Sequence, residues 1–144
     1  MYIQPLDLLE LVSERILIEL SNDSSRATEI NTAVLEKACL HACEMVDGHL
    51  RSRYRLPLEQ VPTLVRNLCL QLARYWLYSR RPDGKGFPDQ VKDSYAQALK
   101  DLERIQSGKL HLGLTELVDT MDDNVPAVPR FVARAPEKVD LSGY

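Results

Sequence analysis

The chain predicts an all-α fold, a compact bundle of four to five helices followed by an irregular, extended C-terminal tail. Three observations predict it. Apolar residues recur at i, i+3, i+4 spacing through most of residues 1–112. Capping and helix-breaking residues stand at the ends of those periodic runs. From Lys109 onward the periodicity fades, and Pro126, Pro129 and Pro136 punctuate a stretch containing Asp119, Asp122 and Asp123. The division that follows is a helical domain over residues 1–112 and an extended tail over residues 113–144.

Pro5 suits the first turn of a helix running to about Val12, with Leu6, Leu9 and Val12 at helical spacing. Ser13 is placed to cap a second short helix whose apolar face is Ile16, Leu17 and Leu20. Residues 21–29 (SNDSSRATE) are polar and turn-rich, which predicts a mobile loop. They lack the acidic alternation and the glycine of a calcium loop. Asn31 is a suitable N-cap, with Ile30 placed to staple against Leu35. A long helix is then predicted to about Arg53, carrying Leu35, Ala38, Ala42, Met45, Val46, His49 and Leu50. Gly48 weakens that helix and suggests either close approach of a neighbour or a bend.

The next helix is predicted over Thr63 to Ser79 and is apolar on two faces. Leu64, Val65, Leu68, Leu72, Tyr75 and Trp76 mark one face, and Leu70, Ala73 and Leu77 the other. A helix apolar on two sides is buried on two sides, which makes this one the centre of the fold. The last long helix runs from about Pro88 to Ser107 with a single stripe of Val91, Tyr95, Ala98, Leu102 and Ile105. Gly108 is placed to adopt the left-handed conformation that closes a helix. In the tail, short strands are expected at Leu110–Leu114 and Arg130–Ala133. Leu117, Val118, Phe131, Val132 and Tyr144 are more apolar than a purely solvated tail needs, so the segment suits folding onto a partner.

At 144 residues the chain is long enough for one domain with its own core. A net charge of −3 argues against bulk electrostatic coating of nucleic acid. No apolar run reaches the ~18 residues needed to cross a membrane. The N-terminus is acidic and lacks the basic start of a signal peptide, so a cytoplasm-like compartment is the default expectation. Cys39, Cys43 and Cys69 are an odd count within apolar helical patterns, which argues against a disulfide framework. Cys39 and Cys43 are one turn apart, but a zinc site needs four ligands and His41 lies on another face. Small buried core residues are the better reading. His41, His49 and His111 are scattered, and neither His41 nor His49 is flanked by the acid partners that general acid–base work requires. No nucleophile elbow, phosphate loop, H-E-x-x-H or C-x-x-C occurs. An enzyme is not expected, and neither catalytic residues nor a cofactor nor a metal is assigned.

The most informative stretch is Val46–Pro62, VDGHLRSRYRLPLEQVP. Proline fixes φ and pushes the preceding residue toward extended conformations, so Leu56 and Val61 are not expected to be helical. Tyr54, Pro57 and Pro62 form a rigid elbow between two helices. Arg51, Arg53 and Arg55 alternate into it, and Arg80 and Arg81 end the next helix. Two readings fit these arginines: solvated C-terminal cations favoured by the helix dipole, or contacts to acidic partner segments or phosphates. The dipole reading comes first for any single arginine. Arg51, Arg53, Arg55, Arg80, Arg81, Phe131 and Tyr144 are the candidate subunit or partner contacts. The cluster Tyr75, Trp76 and Tyr78 is read as packing rather than as a base-stacking platform.

An acidic-Gly helix end followed by L-x-x-R-Y-x-L-P-L and V-P, then Y-W-L-Y-S-R-R (Tyr75 to Arg81), resembles the small helical proteins of Mu-like phages and prophages. The likeness continues through Tyr95, Ala98, Leu102, Ile105, Gly108 and Lys109, so it covers residues 1 to about 112. That family is grouped with the head–tail connector, or adaptor, proteins of tailed phages. The resemblance implies a structural virion protein at the head–tail junction, assembled in the bacterial cytoplasm. It implies a homo-oligomeric ring of roughly twelve copies packed heterologously, contacting a portal and a tail-completion protein while DNA passes through without specific binding. The loop at residues 21–29 and the tail after residue 112 are the expected reaching elements. The alternative is a small helical nucleic-acid-binding regulator, which would need a short helix-turn-helix with a basic recognition helix.

Overall fold

The computed structural model describes residues 1–24, 26–80 and 87–117. Among these the chain is helical: a 3-10 helix at Pro5–Glu10, then α1 (Glu14–Ser21), α2 (Thr32–Leu50), α3 (Thr63–Ser79) and α4 (Asp89–Gln106). The described residues contain no strand, only an isolated antiparallel bridge between Tyr54 and Glu116. The all-α class is thus as expected.

α3 is the hub, packing against α2, α4, α1 and the 3-10 helix. Val65, Leu68, Cys69, Leu70, Leu72, Ala73 and Leu77 are all buried. α2 meets it with Leu35, Ala38, Cys39, Ala42, Cys43, Val46 and Leu50. The run of small residues at 38, 39, 42 and 43 lets two helix backbones approach closely, while each fully buried leucine contributes about 1.5–3 kcal/mol. α4 buries one stripe, Val91, Ala98, Leu102 and Ile105, as its period requires. Tyr75 of α3 stacks on Tyr95 of α4 with centroids 3.7 Å apart. Phe87 closes the same aromatic corner against Tyr75 and Tyr78, at 5.1 and 5.8 Å.

The N-terminus is fastened at two points. Arg66 of α3 pairs with Glu10 and with Asp7, the latter at 3.4 Å, holding the 3-10 helix on the start of α3. Tyr2 donates its hydroxyl to Asp47, and burial together with that bond pushes its phenol well above its ordinary value. α1 begins as expected, with Ser13 Oγ accepting the Ile16 N–H at 3.4 Å.

Several expectations are corrected. The first helix is 3-10 rather than α. α2 stops at Leu50, not Arg53, because the Arg53 and Tyr54 amides both turn back to the Leu50 carbonyl and Tyr54 becomes extended. Asn31 stands at the N-cap of α2 but makes no side-chain cap; its own N–H donates instead to the buried Ser21 Oγ at 3.0 Å. The loop between α1 and α2 is closed on itself, since Asn22 Nδ2 donates to the Glu29 carbonyl at 2.7 Å and the Ile18 carbonyl at 3.0 Å. Gly48 neither meets a neighbour nor marks a break: a Cβ there would find open space. Leu110–Leu114 is not a strand. Its first amide, at Leu110, is spent on the Arg104 carbonyl and the Leu112 amide on the Tyr54 hydroxyl, leaving no ladder. The strand expected at Arg130–Ala133 lies outside the described residues.

Candidate functional site

The elbow between α2 and α3 is the most elaborately built feature of the surface. Leu56–Pro57 is a cis peptide, and Leu56 and Val61 are non-helical as expected. Pro62 is extended at φ −61° and ψ 151°, and its carbonyl accepts the Arg66 amide as the first bond of α3. Tyr54 is 1% exposed. Its hydroxyl accepts the Leu112 amide at 3.1 Å, so the ring is both core and anchor.

The segment after α4 folds back onto this elbow. Gly108, at φ +84°, turns the chain; its amide reaches the Ile105 carbonyl and the Lys109 amide the Arg104 carbonyl, the paired bonds of a Schellman closure. The Leu117 amide then donates to the Arg53 carbonyl at 2.7 Å, next to the Tyr54–Glu116 bridge. Arg53 itself donates from Nε to the Gln106 carbonyl at 2.7 Å and from Nη1 to Glu116 Oε1 at 3.2 Å. The other Glu116 oxygen meets His111 Nε2 at 2.9 Å, while His111 Nδ1 accepts the Gly113 amide at 2.8 Å. With Nδ1 accepting, the proton directed at Glu116 is carried on Nε2. One guanidinium thus caps α4 and holds the returning segment at the same time.

Between the elbow and the returning segment lies an open cleft of about 810 Å³, bordered by Tyr54, Arg55, Leu58, Gln60, Leu114 and Leu117. Its lining mixes apolar side chains with Arg55 and the carboxylates Glu59 and Glu116. The cleft and the elbow arginines Arg51, Arg53 and Arg55 belong to one end of the bundle, and Arg80 lies at the other end of α3.

The expected contact residues separate into three groups. Arg51 and Arg55 are exposed, and their side chains make no hydrogen bond or ion pair among the described residues. Arg53 and Arg80 are committed within the chain. Arg80 donates to the Leu20 carbonyl at the end of α1 and pairs with Asp23 at 3.3 Å. Arg81, Phe131 and Tyr144 lie outside the described residues. Tyr78 is buried and Tyr75 and Trp76 are half-buried, the packing role expected of them.

Cys39, Cys43 and Cys69 are buried and free. Cys43 accepts the Cys69 thiol and the Tyr2 amide, the latter at 3.4 Å, which together draw its thiol down to about 6. Cys69 is pushed up by donating that bond and by burial, and burial pushes Cys39 up to about 12. No group of three or more histidine, cysteine or carboxylate side chains among the described residues is arranged to hold a metal. No helix among them is long and apolar enough to cross a membrane.

Sequence reasoning missed Glu116 and Arg74, and it gave His111 no role although His111 meets Glu116. Glu116 sits in a segment without periodicity, and its partners are far away in the chain, so no local pattern marks it. Arg74 did leave a signal, a cation inside the helix expected to be buried on two faces.

A family model described as Bacteriophage Mu, Gp36 matches residues 2–128. The "Mu-like prophage FluMu protein gp36" of Haemophilus influenzae is 31% identical over 96 residues, covering 67% of this chain and 64% of the relative. "Gene product J" of Escherichia phage Mu is 32% identical over 82 residues, covering 57% of this chain and 55% of the relative. The chain therefore spans less than two thirds of the length of each of these relatives. The family match includes the whole described helical body and the elbow, and runs on past Leu117. The chain belongs to the bacteriophage Mu Gp36 family.

Proposed function

We propose that this protein is a head–tail connector, a structural virion protein that assembles as a ring between the portal and the tail at the head–tail junction. The observation that carries the reading is membership of a Mu phage protein family, in a chain whose elbow leaves the Arg51 and Arg55 side chains without a partner among the described residues. Rigidity supports it. The five helices of the described body are tied by Arg66, Arg53 and Arg80, which suits a wedge whose work is geometric. Exposed apolar side chains support it too. Leu6 is 64% exposed and Leu40 49% exposed, on the 3-10 helix and on α2. They lie on different elements, as a heterologous ring contact needs two different faces.

In this reading Arg51 and Arg55 are the contacts at the elbow, available to carboxylates of a neighbouring subunit, the portal or a tail-completion protein. DNA passes through the ring without sequence-specific binding, and no cofactor takes part. Assembly takes place in the host cytoplasm.

The test is reconstitution. The purified full chain, mixed with the portal protein of its own phage at high concentration, is expected to yield rings visible by negative-stain electron microscopy. Arg51→Glu combined with Arg55→Glu is expected to weaken that association without unfolding the chain. No association with itself, with the portal or with a tail-completion protein would overturn the reading. Salt-dependent binding of duplex DNA by the chain alone would instead favour a nucleic-acid-binding role.

A further inference from the structure

Three exposed residues on the outer face of α2 are not explained by the packing of the chain. Gly48 stands inside the helix, where glycine is less favourable than alanine, yet a Cβ there would meet nothing within 4 Å. Nothing in the single molecule therefore asks for a glycine. Glu44, one turn before it, and Arg51, one turn after it, are both exposed, and their side chains make no hydrogen bond or ion pair among the described residues. Arg51 keeps helical backbone angles, φ −56° and ψ −34°, and its amide donates to the Asp47 carbonyl, so the helical spacing carries through to it. Residues seven apart on a helix lie within about 20° of one another, and residues three or four apart are neighbours on one face. Glu44, Gly48 and Arg51 thus form one stripe, a carboxylate and a guanidinium on either side of bare backbone.

The charges of this stripe complement the same stripe turned end for end. Glu44 lies ~6 Å along the helix before Gly48, and Arg51 ~4.5 Å after it. A second α2 running antiparallel across Gly48 therefore sets each Glu44 beside Arg51 of the other copy. The pair occurs twice by symmetry, as an isologous contact requires. A parallel α2 would instead set carboxylate on carboxylate and guanidinium on guanidinium, and like charges in contact repel. At the crossing, glycine lets two backbones approach closely, which brings the four charged groups within reach of one another. Leu40, 49% exposed and one turn before Glu44, adds apolar surface on the same side of the helix. Lys37, about two turns before Glu44, stands clear of the crossing.

We propose that the outer stripe of α2 is a two-fold docking surface for a second copy of this chain, with Gly48 at the helix crossing and Glu44 of each copy received by Arg51 of the other. The planar guanidinium fork suits a carboxylate taken in two parallel bonds. A two-fold contact closes on itself, whereas a ring is built from heterologous contacts. The product is therefore a dimer of the free chain in which Arg51 is covered. This goes beyond the connector reading and does not depend on it.

Sedimentation equilibrium of the purified full chain, without portal, tests it. The natural chain is expected to pass from monomer to dimer as concentration rises, and added salt to weaken the dimer. Glu44→Arg and Arg51→Glu, each alone, put like charges at both contacts and are expected to weaken dimerisation at least about tenfold. Mixed one to one, these two variants are expected to regain the natural affinity as a heterodimer, because each contact again joins a carboxylate to a guanidinium. Gly48→Leu is expected to abolish the dimer while helix content, read by circular dichroism, stays unchanged. All three positions are exposed, so the same measurement on each variant separates lost docking from lost folding. A natural chain that stays monomeric at every concentration would overturn the proposal. So would single reversals that dimerise as well as the natural chain, or a mixture that regains nothing, since Glu44 and Arg51 would then not meet reciprocally. Portal binding is measured separately, so failure here leaves the connector reading as it stands.

Discussion

The Arg53 guanidinium lies flat against Gly108, so close that a Cβ on the glycine would meet its Nη2 at 2.7 Å and its Cζ at 2.8 Å. This contact joins the two ends of the elbow site. Gly108 is required twice there, once by its positive φ and once by the arginine resting on it. Gly108→Ala is expected to destabilise the fold by about 1–2 kcal/mol, from the left-handed backbone and from displacing a side chain pinned by Gln106 and Glu116. An arginine end is flexible, so the steric part is recovered once Arg53 is gone. Urea unfolding should therefore show a smaller cost of Gly108→Ala in an Arg53→Ala background. Equal costs in both backgrounds would contradict the contact.

Tyr54 should report the anchoring of the returning segment. Tyr54→Phe keeps the buried ring and removes only the acceptor of the Leu112 amide. A loss of about 1 kcal/mol is expected. Because the Tyr54–Glu116 bridge is backbone-made, the faster exchange should be confined to the amides around Leu112. Amide exchange spread evenly through α3 would show that the ring, not the hydroxyl, carries the anchor.

Gly48 offers a change in the other direction. It sits within α2, exposed, with nothing within 4 Å of where a Cβ would stand. Gly48→Ala is expected to stabilise the isolated chain by about 0.5–1 kcal/mol, through helix propensity and a less flexible unfolded state. Thermal unfolding reads this directly. If the midpoint rises while ring assembly with the portal fails, Gly48 marks a face that a neighbouring subunit approaches closely.

Much of this fold can be read in the chain because its signals are local. α3 is found at Thr63–Ser79 as expected, since Pro62 and the two-faced apolar pattern mark it without reference to anything distant. The same holds for the Ser13 cap and for the turn at Gly108. The elbow site is different in kind. Arg53, Tyr54 and Glu116 converge from positions some sixty residues apart, and neither their spacing nor their type distinguishes them from solvated residues. Arg53 and Arg80 look like ordinary cations near helix ends. In the structure they are consumed by carbonyls of other elements, because an unpaired carbonyl at a helix end needs a donor. That leaves Arg51 and Arg55 as the free pair, a distinction only tertiary contacts can make. The first helix is 3-10 for a related reason: its short apolar run carries no signal separating i+3 from i+4 bonding.

Acid should loosen the N-terminal clamp before it unfolds the bundle. The Arg66 guanidinium holds the Glu10 carboxyl below its ordinary value, and Glu10 in turn raises Arg66, which stays charged at every accessible pH. A carboxylate whose folded value is depressed adds stability that is complete above its ordinary value, about 4.3. That stability is lost as pH falls through the lower folded value. At neutral pH, Glu10→Gln is therefore expected to increase amide exchange within Pro5–Glu10. Toward pH 3 and below, the natural chain should approach the variant as its own carboxylate takes up a proton. The pair is exposed, so added salt should shrink the difference at neutral pH as well. A difference that stays constant from pH 7 to pH 2 would mean that the side-chain hydrogen bond, rather than the charge on Glu10, fastens the 3-10 helix to α3.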